Sequence, residues 1–225
     1  MDARNRLLGL LFPPFSVLVS FTCSLLLPTP ASAQQDLPAN GLFLVAKPSL
    51  GDPNFAKTVV LVTQTEDAST VGVIINRPTA LGLAQFVPQD VPAQNYRDQI
   101  YFGGPVMRQS ILALYRSGTA PEKPAFHVLR GVYLSMHPDN LRKLLEVGKD
   151  QYRLYAGFSG WAPRQLESEF MRDGWFVLPA DEATVFRKNT EGLWEELVER
   201  AANRGPRAHN PGVTIFAKWP APCDC

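Results

Sequence analysis

GLFLVAKPSLGDPNF (residues 41–55), KTVVLVTQ (57–64) and VGVIINRPT (71–79) are the stretches whose reading decides the fold. Each apolar run is short, rich in β-branched residues and bounded by Gly, Pro, Asp or Asn. That pattern predicts buried strands and not helices. Residues 42–45, 58–64 and 70–76 are therefore expected strands, with Pro48 ending the first because it lacks a ladder donor. Gly51-Asp52-Pro53 signals a turn in which Asp52 bonds nearby backbone amides, and Phe55 is expected to fold back as an apolar plug. Residues 66–69 read as a hairpin connection.

Working outward, 225 residues of 45% hydrophobic content suffice for one well-buried domain, or at most two small ones. Twenty-two basic and 21 acidic side chains leave a formal net charge of +1, which gives no general attraction for nucleic acid or anionic lipid. Residues 1–33 have the form of an export signal. Arg4 and Arg6 make a basic start, residues 7–27 are mostly apolar, and Ala31-Ser32-Ala33 is a small-residue cleavage site. Pro13 and Pro14 argue against a stable spanning helix there. The expectation is cleavage after Ala33 and a periplasmic or secreted protein with no membrane span after cleavage. The remaining thiols, Cys223 and Cys225, would then both lie in the last three residues.

Downstream, prolines at 88 and 92 predict a loop with a short helical turn over 81–98. Strands are expected at 100–102, 111–115, around Gly131 within 126–134, at 152–158 and at 175–178. Helices are expected from Pro138 to about Val147 with Gly148 as the stop, over 163–173 with Gly174 as the cap, and over 191–202, with a helical turn at 181–186. The last helix presents Leu193, Trp194, Leu197, Val198 and Ala201 on one face. Residues 213–219 read as a possible edge strand in a Pro-rich tail. Strands early and helices late make the class α+β, with a mixed, largely antiparallel sheet.

Four fragments in order carry a family resemblance: FLVAKPSLGDPNF (43–55), VGVIINRP (71–78), GGPV (103–106), and GFSGW (157–161) followed by QLE (165–167). Together they resemble the YqgE/AlgH family of small bacterial proteins over roughly residues 42–201, essentially the whole of the expected domain 41–204. The resemblance implies an α+β domain whose bifurcated sheet closes into a pseudo-barrel, with helices packed outside. The family's biochemical activity is not established, and some members carry the label of transcriptional regulator. This chain departs from the family pattern in its export signal, in Arg164 where Gly usually precedes Gln-Leu-Glu, and in the extension 205–225.

Among chemical candidates, Gly157-Phe-Ser159-Gly160-Trp161 approaches a nucleophile elbow but has Trp161 where the elbow needs Gly. Ser159 is read as capping the following helix, and a serine hydrolase using it is the alternative from another class. His127, His137 and His209 lack metal or base spacing. Gly103-Gly104-Pro105 is read as a turn with close backbone approach in preference to an anion cradle. Arg77 offers a bidentate fork, against the ordinary reading of a solvated strand-end side chain. Glu167 and Glu169 are read as surface carboxylates. Trp161 and Trp175 are read as core, or, if exposed, as a docking patch. Cys223 and Cys225 are too few ligands for an ordered metal site and are read as oxidised to a strained disulfide or incidental, in preference to a soft-metal chelate. No cofactor, metal or nucleic acid is expected. The reading that results is an exported, non-catalytic protein binding a protein partner or small ligand. Its expected surface comprises Asp52, Pro53, Phe55, Asn76, Arg77, Gly103, Gly104, Pro105, Gly160 and Trp161 on one rim. The cytosolic regulator is the reading that follows if residues 1–33 are retained.

Overall fold

The computed structural model describes residues 41–86, 99–145 and 151–203. The expected signal segment, His209, both C-terminal cysteines, the tail strand and the stop at Gly148 lie outside them. Ten strands among the described residues form one sheet: β1 (Leu42–Ala46), β2 (Val59–Gln64), β3 (Thr70–Ile74), β4 (Pro78–Gly82), β5 (Gln99–Phe102), β6 (Val106–Arg116), β7 (Phe126–Leu129), β8 (Val132–Ser135), β9 (Tyr152–Trp161) and β10 (Trp175–Pro179). Four helices accompany them: α1 (Pro138–Leu144), α2 (Gln165–Met171), the short α3 (Glu182–Val185) and α4 (Leu193–Ala202). The class is α+β and the sheet largely antiparallel, as the apolar runs predict; β5 alone runs parallel to its partner β9.

The sheet order is β10-β1-β2-β3-β9-β6-β8-β7, and it bifurcates at β9. The last residues of β9 pair with β3 (Gly72 opposite Ser159), while its first half pairs with β5 and with β6. The expected closure is not complete. No ladder joins β7 to β10 among the described residues; one backbone hydrogen bond, from Gly41 N to Val128 O at 2.8 Å, bridges β7 to the start of β1. The sheet is thus an open, bifurcated one.

Strands β1–β3 read as continuous apolar runs because both faces are covered. Phe43, Val45, Val59, Leu61, Val73 and Ile75 face an interior cluster that also holds Leu112, Leu114, Leu134 and Tyr155. Leu193, Leu197 and Ala201 of α4 join the same cluster. Leu44, Val60, Val62 and Ile74 face the opposite way, onto Leu166 and Phe170 of α2. A third cluster gathers Ile100, Ala113, Tyr115, Leu154 and Leu144 of α1.

Several boundaries differ from the sequence expectation. β3 stops at Ile74, and the 78–82 segment forms an edge strand before a 3₁₀ turn at Leu83–Gln85. β6 begins five residues earlier than its apolar pattern, because a bulge opposite Gly157 carries Met107 in the left-handed region. β9 runs on through Trp161, so Ser159 is a strand residue and caps no helix. The residue at the start of α2 is Arg164, also left-handed. Its exit turns on Asp173 at φ 59°, not on Gly174, whose amide reaches back to Glu169 O.

Candidate functional site

The dipeptide Asn76-Arg77 follows β3 and reaches across to the strap that precedes β2. Asn76 accepts from Val59 N (2.8 Å) and donates to Lys57 O (3.0 Å). Arg77 donates through one guanidinium nitrogen to Asn54 O and through the other to Ala56 O (2.9 Å). Two adjacent side chains therefore hold four backbone groups of residues 54–59. The strap's own turn is closed by Asp52, which accepts from Asn54 N (2.8 Å) and whose carbonyl takes the amides of Phe55 and Ala56. Arg77 is accordingly a half-buried clamp on the strap's carbonyls and not a freely solvated strand-end side chain. Partial burial lowers its pKa from the usual value, and the Asp52 carboxylate opposes that shift.

Phe55 is the plug the sequence suggested. Its ring stacks on Trp161 (5.6 Å between centroids, 26°) and meets Trp175 edge-on (5.5 Å). The two indoles stand at 84° to each other, 6.2 Å apart, and are only 3% and 4% exposed. Both indole N–H groups donate to Glu169, at 3.1 Å from Trp161 and 2.9 Å from Trp175. Glu169 is thus the anchor of the aromatic cluster and not an ordinary surface carboxylate. Its helix and both tryptophans were legible in the sequence; their convergence on one carboxylate was not.

Gly103 and Gly104 are buried. A Cβ on Gly103 would sit 2.2 Å from Gly157 O, and one on Gly104 would sit 2.4 Å from the Phe158 backbone. Gly103 N donates to Ala156 O (3.0 Å), so that amide is committed within the sheet and no anion cradle forms there. Gly103 O accepts from Ile74 N and from the hydroxyl of Ser159 (3.0 Å), which is wholly buried. Ser159 is placed to lock two strands together and not to attack a substrate. His137 caps α1 by accepting from Asp139 N, and His127 stacks on Tyr133. Among the described residues no three His, Cys, Asp or Glu side chains converge as metal ligands would.

The expected ten-residue surface is therefore divided. Asp52, Pro53, Phe55, Asn76, Arg77 and Trp161 belong to the strap and its clamp. Gly103 and Gly104 are interior, and Pro105 leads from them into β6. Gly160 faces the side chain of Phe158, across β9 from the aromatic cluster. On that side lies a feature the sequence did not show: an open, mainly apolar cleft of about 580 Å³. Val106, Phe126, Met136, Phe158, Gly160 and Trp161 are among the residues that line it, together with the 65–70 turn and its exposed Asp67. Val106 and Met136 remain 37% and 40% exposed. Five separate segments contribute to this cleft, so no single motif announces it.

Comparison with known proteins agrees with this architecture. A model of the AlgH-like family matches residues 43–204. A UPF0301 protein of Myxococcus xanthus is 36% identical over 155 residues, covering 68% of this chain and 84% of that protein. One from Rhodococcus jostii is 32% identical over 167 residues, covering 71% and 81%. The solution structure of the AlgH protein from Pseudomonas aeruginosa superposes with a TM-score of 0.60 at 29% identity, covering 84% of this chain and 97% of that one. An X-ray structure of a Corynebacterium diphtheriae protein gives 0.57 at 25% identity, covering 72% and 87%. The clamp, the buried glycine pair and the bifurcated sheet are thus the setting in which four separate sequence fragments meet, and the chain belongs to the YqgE/AlgH family, whose biochemical function is uncharacterised.

Proposed function

We propose that this chain is an exported, non-catalytic binding protein that holds an apolar segment of a partner polypeptide, flanked by a basic residue, in the cleft beside Val106 and Met136. The observation that carries the reading is the cleft itself: about 580 Å³, mostly apolar, with two large apolar side chains left in contact with water. Met136 suits a surface that adapts to apolar partners. Among the described residues the charged group on the lining is Asp67, and no Lys or Arg lines the cleft. Hydrogen bonds from the Thr65 hydroxyl and from Ser69 lower the Asp67 pKa, so the rim carries a negative charge at neutral pH. A basic flank on the partner complements it. Support for export comes from the basic, apolar and small-residue pattern of residues 1–33.

The test is peptide-array binding by the full chain, with a Val106→Asp, Met136→Asp double variant and Asp67→Asn alongside. Apolar peptides bearing one Lys or Arg should bind. The double variant should lose at least ten-fold in affinity, and Asp67→Asn should flatten the salt dependence. Uniform failure to bind, or binding indifferent to the double variant, refutes the cleft. The intact mass of protein recovered from its native cells tests export. A chain starting at Gln34 supports it, whereas an unprocessed chain restores the cytosolic regulator.

A further inference from the structure

Phe55 occupies a position that a ligand could take. Beyond bonds to its flanking residues Lys47 and Thr58, whose hydroxyl also donates to Phe55 O (2.7 Å), residues 50–57 are tied to the rest of the described structure by three hydrogen bonds, all from side chains: Arg77 to Asn54 O and Ala56 O, and Asn76 to Lys57 O. The other backbone bonds of this segment close its own turn or join it to its two ends, as in Phe55 N to Asp52 O, Leu50 N to Lys47 O and Thr58 N to Phe55 O. The strap can therefore lift without breaking a sheet ladder. Its hinge, Lys57, sits at φ 56°, a left-handed conformation that an L residue adopts at a cost.

Lifting the strap withdraws the Phe55 ring from Trp161 and Trp175. What remains is a corner of two indoles at 84°, each fixed in orientation by its N–H bond to Glu169. Trp161 then offers the face on which Phe55 had stacked. Glu169 adds a carboxylate beside the corner, and no Lys or Arg pairs with it among the described residues. Perpendicular aromatic faces beside an anion without a cation partner are the chemistry that recognises an alkylated ammonium group. A neutral apolar group would gain from the indoles but not from the carboxylate.

We propose that Phe55 is a displaceable plug, and that the Trp161–Trp175–Glu169 corner beneath it binds a quaternary or methylated ammonium group. Asn76 and Arg77 set how often the corner is open, because a site open only a fraction of the time binds with affinity reduced by that fraction. The proposal does not rest on the cleft. Trp161 is shared between the two features, but Val106 and Met136 are not part of the corner.

The test is choline titration of the full chain followed by tryptophan fluorescence, with 3,3-dimethyl-1-butanol as the neutral isostere. Phe55→Ala should bind choline at least ten-fold more tightly than the parent chain. Arg77→Gln, which loosens the strap and keeps the ring, should fall between them. Glu169→Gln in the Phe55→Ala background retains an acceptor for an indole and should lose five-fold or more. The alcohol should bind at least ten-fold more weakly than choline. A folded Phe55→Ala chain that ignores choline, or that binds the alcohol equally well, overturns the proposal. If Phe55→Ala does not fold, Arg77→Gln decides it: choline affinity no greater than that of the parent chain is then the overturning result.

Discussion

Gly103 has a side chain of one hydrogen because three backbones meet around it. Its carbonyl takes both Ile74 N and the Ser159 hydroxyl, its amide donates to Ala156 O, and the carbonyl of Gly157 lies where a Cβ would go. A methyl there has only main chain to push against, which cannot yield as a side-chain tip can. Gly103→Ala should therefore lower stability by about 3 kcal/mol or prevent folding. Gly51→Ala is the internal control. Nothing lies within 4 Å of its added Cβ, so its unfolding free energy from urea titration should stay within about 0.5 kcal/mol of the parent chain. If the two variants unfold at the same urea concentration, the close-approach account fails. The same crowding explains why Ser159 is a locking residue although its local pattern resembles a catalytic elbow.

Helix α2 shows how an element can carry a residue that its backbone does not favour. Arg164 stands at φ 66° just before Gln165, with no side-chain cap bond, where the family resemblance leads one to expect Gly. A left-handed non-glycine residue costs about 1–2 kcal/mol, while glycine loses about 0.5–1 kcal/mol through the greater freedom of the unfolded chain. Arg164→Gly should thus stabilise by up to about 1 kcal/mol, visible as a rise in melting temperature. A fall would mean that the guanidinium makes a contact outweighing the strain. Elements of this kind were largely legible beforehand: the runs of β1 and β2, the Pro-Asp start of α1 and the apolar stripe of α4 each follow from local spacing. What escaped were features set by distant chain. The exposed, bulged start of β6 has no alternation to read, and β9 outruns its apolar pattern because Ser159 satisfies its hydroxyl on Gly103. The loops of the site were recognisable as loops. Which loop grips which was not, since Arg77 meets carbonyls 21 and 23 residues away.

At the scale of the whole molecule, stability rests on apolar clusters on both faces of a sheet whose seam, among the described residues, a single backbone hydrogen bond bridges, and those residues contain no cysteine. Of the buried phenols, Tyr155 and Tyr115 sit in different clusters, the first in the interior and the second beneath α1. Burial pushes the Tyr115 pKa up to about 12, with Tyr133 adding to the shift. Burial raises that of Tyr155 as well, against the opposing pull of Arg153. A folded-state pKa above the unfolded value near 10 means that the unfolded chain loses these protons first. Their contribution to stability is therefore fully present below pH 10 and falls as pH rises through 10 towards 12. Urea midpoints measured from pH 8 to 11.5 should drop on the alkaline side, and a Tyr115→Phe, Tyr155→Phe double variant should drop less steeply over the same interval. Equal slopes would mean that these hydroxyls reach water in the folded state, and that the two faces of the sheet are not sealed from one another as the clusters require.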